Sequence, residues 1–235
     1  GLGSSSSFAV GLLNAMSALN GRRVTKKNLA ERATYIEQEL MQENVGCQDQ
    51  ITTAYGGFNI INFETDNTKN VAPVIANPLN IQTLQDSMML FYTGVSRFAS
   101  KIAGEQLKNF GNRTPELTRM REMVEEGANL LDQKINPVKE FGELLHEGWL
   151  LKKRLADTIT NSEINEIYEK GLNAGAYGGK LLGAGGGGFL LFIAPKEKHF
   201  IIKEALPNLV HVSFKFDHDG SKVIVYDPED SDCGP

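Results

Sequence analysis

The chain runs from glycines and serines straight into an apolar helical pattern. Gly1-Leu2-Gly3-Ser4-Ser5-Ser6-Ser7 meets Phe8-Ala9-Val10-Gly11-Leu12-Leu13 with no spacer. A helix start presents unpaired backbone N–H groups and the positive end of the helix dipole. Small residues let an anion approach that backbone, so phosphate is the natural guest. Serine hydroxyls can cap the helix or reach a metal beside the phosphate. Taken alone, these residues also read as a glycine/serine linker. The predicted helix carries Phe8, Val10, Leu12, Leu13, Met16 and Leu19 around much of its circumference, so it should be buried. Asn20-Gly21 stops it.

A phosphate loop of this kind normally follows a strand that anchors it. With the loop at Gly1, the chain is expected to be a C-terminal portion of a longer protein. Its 235 residues suit one large domain or two small ones, and 41% hydrophobic content is globular. A net charge of −5, from 24 basic and 29 acidic residues, argues against a nucleic-acid or anionic-membrane surface as a partner. The two cysteines, Cys47 and Cys233, lie far apart, so a reducing cytoplasm is expected rather than a disulfide framework. No apolar run approaches membrane-spanning length.

Helical periodicity continues from about Lys26 to Met41, with Thr25 as cap and Leu29, Ala33, Ile36 and Leu40 on one face. Phe58 to Phe63 and Val71 to Ile75 read as a hairpin about Asp66 to Asn70. Asn77-Pro78-Leu79-Asn80 reads as a linker, which sets the expected domains at 1–78 and 79–227, with a loose acidic tail at 228–235. In the second domain, a strand at 88–93 precedes helices near 96–108, 115–133, 137–155 and 162–175. A strand at Gly188 to Ala194, a helix at Lys196 to Leu206, and strands at Val210 to Phe216 and Lys222 to Tyr226 follow. Strands at the ends with helices between predict an α+β fold, a small sheet covered by helices.

A second glycine cluster spans Tyr177-Gly178-Gly179-Lys180-Leu181-Leu182-Gly183-Ala184-Gly185-Gly186-Gly187-Gly188-Phe189. Each glycine loses backbone entropy on folding, so such density implies either a tight structural turn or a backbone passing close to a ligand. It is no Walker loop, because Ala174 and Leu181 stand where that motif needs Gly and Ser or Thr. The helix–loop–strand order also excludes a dinucleotide fingerprint.

Among the carboxylates, Glu37 and Glu39 lie near a helix C-terminus, where the dipole disfavours negative charge. Asp49 lies between two glutamines, ahead of Thr52-Thr53 and Gly56-Gly57, where it can hold a metal or take a proton. Each can equally be a solvated surface acid. His146 shares a helical face with Trp149 and reads as packed, surface or substrate-facing. His199, His211 and His218 show no metal spacing, and no Ser-His-Asp arrangement stands out.

Taken together, the motifs and their order resemble the galacto-, homoserine, mevalonate and phosphomevalonate (GHMP) kinases over essentially the whole chain up to about Tyr226. Gly1-Leu2-Gly3-Ser4-Ser5-Ser6 resembles their second, phosphate-binding motif, and Lys180 to Phe189 their third. Gly46-Cys47-Gln48-Asp49-Gln50 resembles the segment bearing the family's catalytic aspartate. Glu37 falls where sugar-kinase members place a magnesium-binding glutamate. The passages Gly46 to Gly57, Leu145-His146-Glu147-Gly148-Trp149-Leu150-Leu151-Lys152-Lys153 and Phe214-Lys215-Phe216 resemble the branch acting on D-glycero-D-manno-heptose 7-phosphate. Fucokinase-type members share much of this wording. The family's first motif, and the strands before the second, have no counterpart here.

The resemblance implies a GHMP-kinase-like two-domain fold with a truncated N-terminal domain. It implies ATP-dependent phosphorylation of a sugar hydroxyl, the anomeric one of a heptose 7-phosphate, with ATP and Mg2+ as cofactors. Gly1, Gly3, Ser4, Ser5 and Ser6 would cradle the ATP phosphates, and Gly183, Gly185 and Gly186 would contact them from the other domain. Ser5 and Glu37 would serve the metal, and Asp49 would accept or orient the acceptor's proton. Arg97, Lys152, Lys153 and Lys180 are candidates for the substrate's own phosphate. The expected partners are a small sugar or sugar phosphate, and either a second copy or a missing N-terminal segment. The competing readings are a noncatalytic or split GHMP-fold piece, and a nucleotide-binding module on an unrelated fold.

Overall fold

The computed structural model describes residues 2–95, 99–132 and 136–227. Gly1, Arg97, Cys233 and the tail at 228–235 lie outside the described residues. Backbone contacts divide the chain into two compact units. One is Gly3–Asn59 together with the chain from Phe216 on; the other contains Ile60–Lys215. The hairpin assigned by sequence to the first domain thus groups with the second unit, and the C-terminal segment returns to the first.

In the first unit, α1 (Ser4–Leu19) packs on α2 (Lys26–Tyr35) and α3 (Gln48–Tyr55), which also pack on each other. Thr25 caps α2 by accepting from the Asn28 N–H at 3.2 Å. The helix predicted to run to Met41 changes pitch at its end, because Ile36–Leu40 forms a π turn. Sequence periodicity left α3 unassigned; its buried side is Gln50, Ile51 and Ala54. The expected burial of α1 is confined to Ser6 and Val10. Phe8, Leu12, Met16 and Leu19 stay exposed, since α2 and α3 cover only one side of the helix.

The returning segment docks on the end of α3. The Gly57 N–H donates to the Asp217 carbonyl (2.7 Å) and the Ser221 N–H to that of Thr53 (2.9 Å). Lys26 Nζ donates to the carbonyls of Tyr55 and Asp219, and the rings of Phe58 and Phe216 stack at 6.0 Å. The strand expected at Lys222 to Tyr226 does not form. A helix end offers scattered acceptors rather than the regular ladder a strand needs.

The second unit starts with the ribbon of β1 (Asn59–Phe63, whose first residue groups with the first unit) and β2 (Lys69–Pro73). The linker expected at 77–80 is instead a helix start. Asn77 Oδ1 accepts from the Leu79 N–H at 3.0 Å and Pro78 takes the first position of α4 (Pro78–Ser87). Asn as cap and Pro at the first turn are a helix-opening pair as much as a loop signal.

A four-stranded antiparallel sheet follows, ordered β4-β5-β3-β6, from β3 (Met88–Tyr92), β4 (Gly178–Leu181), β5 (Phe189–Ile193) and β6 (Val210–Val212). Besides α4, this unit contains α5 (Ala99–Asn109), α6 (Thr114–Asp132), α7 (Val138–Lys153), α8 (Ser162–Asn173) and α9 (His199–Ala205). Phe91, Trp149, Tyr168, Leu190, Phe192 and Ile202 form the main core between sheet and helices. The unit is therefore the small sheet covered by helices that the pattern predicted. The first half of the glycine cluster is itself a strand, β4, which periodicity did not show. A Cβ on Gly178 would lie 2.0 Å from the Gly142 carbonyl oxygen, so α7 and β4 touch backbone to backbone.

Candidate active site

The first unit gathers its candidate residues at the start of α1. Gly3 caps that helix with φ 64°, a left-handed conformation that favours glycine, and its carbonyl accepts from the Ser7 N–H at 2.8 Å. A Cβ on Gly3 would lie 2.9 Å from Cγ and Oδ2 of Asp49, so the Asp49 carboxyl rests against this turn. Ser4 and Ser5 are exposed on the first turn. The first N–H groups of a helix have no intrahelical partner.

Behind this turn lies Glu37, only 3% exposed. Ser6 Oγ donates to both of its carboxylate oxygens, at 2.9 and 3.1 Å, and the Gln50 amide donates to Oε2. Glu37 sits in the π turn, where the Met41 N–H reaches back to the Ile36 carbonyl at 2.9 Å. Such turns recur at functional sites, because one extra residue re-aims the side chains around it. Glu39, in the same turn, is exposed.

Asp49 occupies the first turn of α3. Its pKa is raised above the usual aspartate value, first by partial desolvation of the carboxyl and second by the negative charge of Glu37. No lysine or arginine forms an ion pair with either acid among the described residues. Gln50 is fully buried, and its Oε1 has no hydrogen-bond partner among the described residues.

Two neighbouring carboxylates, a hydroxyl and an orphaned amide oxygen form a hard, oxygen-only donor set. Magnesium takes one or two carboxylates and completes its shell with phosphate oxygens and water. The residues present fit that pattern. No group of three or more His, Cys, Asp or Glu able to form a self-sufficient cage occurs among the described residues. Sequence reasoning gave Ser6 no partner and missed Gln50. A helical reading of residues 48–55 would have placed Gln50 beside Ile51 and Ala54 on the buried face.

In the second unit, the glycine turn joins β4 to β5. The Gly186 N–H is committed to the Ile159 carbonyl (2.8 Å) and that of Gly188 to Val95 (2.9 Å). The N–H groups of Gly183 and Gly185 have no acceptor among the described residues. The Gly183 carbonyl accepts from Lys152 Nζ and that of Ala184 from Gln106 Nε2 at 2.7 Å. Desolvation, and then the charge of Lys180, pull the Lys152 ammonium down to about 7. Desolvation lowers Lys180 as well. Lys153 lies elsewhere, over the rings of Trp149 and Tyr168 at 5.8 and 6.0 Å. His146 is packed, stacked on Tyr168 with Nδ1 2.7 Å from its hydroxyl.

Comparison with known proteins agrees with this layout. The sequence profile of the GHMP kinases N terminal domain matches residues 1–57, and that of GHMP kinases C terminal matches residues 128–211. A D-glycero-alpha-D-manno-heptose 7-phosphate kinase from Campylobacter jejuni is 30% identical over 232 residues, covering 94% of this chain and 66% of that protein. A bifunctional fucokinase/GDP-fucose pyrophosphorylase from Arabidopsis thaliana is 28% identical over 200 residues, covering 83% of this chain and 19% of that protein. The crystal structure of a D-glycero-D-manno-heptose 1-phosphate kinase from Bacteriodes thetaiotaomicron superposes with TM-score 0.75 at 24% identity, covering 97% of this chain and 64% of that one. The chain thus spans less than two thirds of each of these relatives. Both halves of its sequence carry the family's profiles and its fold matches a family structure, so the chain belongs to the GHMP kinase family.

Proposed function

We propose that the whole protein is an ATP-dependent sugar kinase that transfers the γ-phosphoryl group to a sugar hydroxyl, the anomeric one of a heptose 7-phosphate. The observation that carries this reading is the Asp49 carboxyl lying against the N-terminal turn of α1, beside the buried Glu37. Phosphoryl transfer asks a protein mainly for positioning and charge stabilisation. The α1 start, with Gly3, Ser4, Ser5 and Ser6, orients the phosphates of ATP through free N–H groups and small side chains. Gly1 takes the same role on the strength of the family motif. Gly186 shapes its turn, because its own N–H is already used.

Glu37 would hold magnesium, with the exposed Ser5 of the α1 start as a further candidate ligand, and the ion would neutralise charge developing on the transferred group. Ser6 and Gln50 orient Glu37. Asp49 accepts the proton of the attacking hydroxyl, or orients that hydroxyl, and the desolvation that raises its pKa makes it a stronger base than a solvated aspartate. The heptose 7-phosphate assignment draws on the similarity to the Campylobacter jejuni heptose 7-phosphate kinase. No helix among the described residues is long and apolar enough to cross a membrane, and a cytoplasmic setting suits a kinase using ATP.

The test is Asp49→Asn in the full-length enzyme. Turnover should fall about 10²–10⁴-fold with ATP binding intact. Turnover near wild type would remove Asp49 from this role. A second reading, a GHMP-fold piece that needs another chain, is favoured by the exposed Phe8, Leu12, Met16 and Leu19 on α1. An assay of this chain alone against the full-length protein separates the two.

A further inference from the structure

We propose that Lys152 and Lys180 form a binding site for a phosphate monoester dianion beside the turn at Gly183. Three observations within the second unit converge on it. The first is placement. Lys152 is in the last turn of α7, and Lys180 is in β4. The backbone contact of Gly142 with Gly178 brings these elements together, and Lys152 Nζ reaches the Gly183 carbonyl in the turn just after β4.

The second is the lack of counter-charge. Lys170 pairs with Glu166, Lys196 with Asp86 and Lys222 with Asp219, whereas Lys152 and Lys180 have no acidic partner among the described residues. Both are desolvated and close enough to repel, which depresses the Lys152 ammonium. Desolvating charge without a partner is unfavourable. A dianion would supply the missing counter-charge to both.

The third is the neighbouring backbone. The N–H groups of Gly183 and Gly185 have no acceptor among the described residues in the turn that Lys152 contacts, and both residues have positive φ, 71° and 122°. Backbone N–H groups presented by such a turn form anion-binding concavities. Two ammonium groups and free amides together match a compact phosphate better than a carboxylate or a neutral sugar.

A phosphate here can come from the nucleotide or from a phosphorylated acceptor. Assigning it to the acceptor's own phosphate, and so naming a sugar phosphate rather than a neutral sugar as substrate, rests on the kinase reading above. The existence of the site does not.

The experiment is a calorimetric titration of the folded chain with inorganic phosphate at fixed ionic strength. It covers wild type, Lys152→Met, Lys180→Met, the double variant, Lys180→Arg, and Lys170→Met as a control. Wild type should bind. Either methionine variant should weaken binding at least about tenfold, the loss of one charge-assisted contact of 1.5–3 kcal/mol. Lys180→Arg should restore part of it, and Lys170→Met should match wild type. Phosphate should also raise the melting temperature of wild type but not of the double variant, whose circular dichroism reports its folding. Absence of binding to wild type, or equal binding to a folded double variant, would overturn the site.

Displacement by mannose 6-phosphate, and not by ATP, would support the acceptor assignment. Displacement by ATP alone, or by neither ligand, would overturn that assignment while sustaining the site.

Discussion

Ser6 Oγ donates to both carboxylate oxygens of Glu37, across 31 residues of sequence. This contact ties the first turn of α1 to the π turn after α2, and it makes the position of a buried acid depend on how that helix begins. A shift at the start of α1 would therefore be felt at Glu37.

Ser6→Ala removes that donor while Glu37 stays buried. Stability should fall by about 1.5–3 kcal/mol, the range for a hydrogen bond to a charged group, read from the urea midpoint of this chain. Ser5→Ala, on the exposed side of the same turn, should change it by less than about 0.5 kcal/mol.

Asp49→Asn should stabilise the chain at neutral pH. The folded-state pKa is raised, so the ionised carboxylate is disfavoured in the native state. That penalty is fully present above the folded pKa and disappears as pH falls through it toward the unfolded value. The difference in melting temperature between variant and wild type should thus be largest near pH 7 and shrink in acid. A constant difference from pH 7 to pH 3 would refute the electrostatic origin.

Magnesium should raise the melting temperature of wild type, and Glu37→Gln should abolish the rise. At a hundred times the dissociation constant, binding to the native state alone contributes about 2.7 kcal/mol. Differential scanning calorimetry with and without the metal reads this directly, independently of turnover.

Gly178→Ala would put a methyl group where the Gly142 carbonyl already lies. Forcing α7 away from β4 should destabilise the protein by about 1–3 kcal/mol, the range for overpacking. Hydrogen exchange at β4 and β5 should accelerate more than at α2 and α3, which lie in the other unit.

Much of the second unit was legible because its elements are long and regularly patterned. The helices at 114–132, 138–153 and 162–173 differ from the periodicity by only a residue or two at each end. The missed elements share a cause. α3 is short and mostly polar, α4 opens on Asn77-Pro78, and β4 is half glycine. None has the apolar repeat on which a sequence reading rests.

The sequence by itself determined the chemistry on offer: a small-residue helix start, Asp49 and Glu37 at a family spacing, and a glycine cluster rich enough to demand close backbone approach. Only the tertiary structure decided which groups meet. Ser6, and not its neighbours, faces Glu37 because the helix period turns Ser6 and Val10 inward together. Gln50 joins them because α3 buries that side. Lys152 comes beside Lys180 because two glycines let α7 rest directly on β4. Residue identity and spacing along one element are local properties, readable in order. Partnership across 30 to 200 residues depends on which faces bury apolar surface together, and that is set only when the whole chain packs.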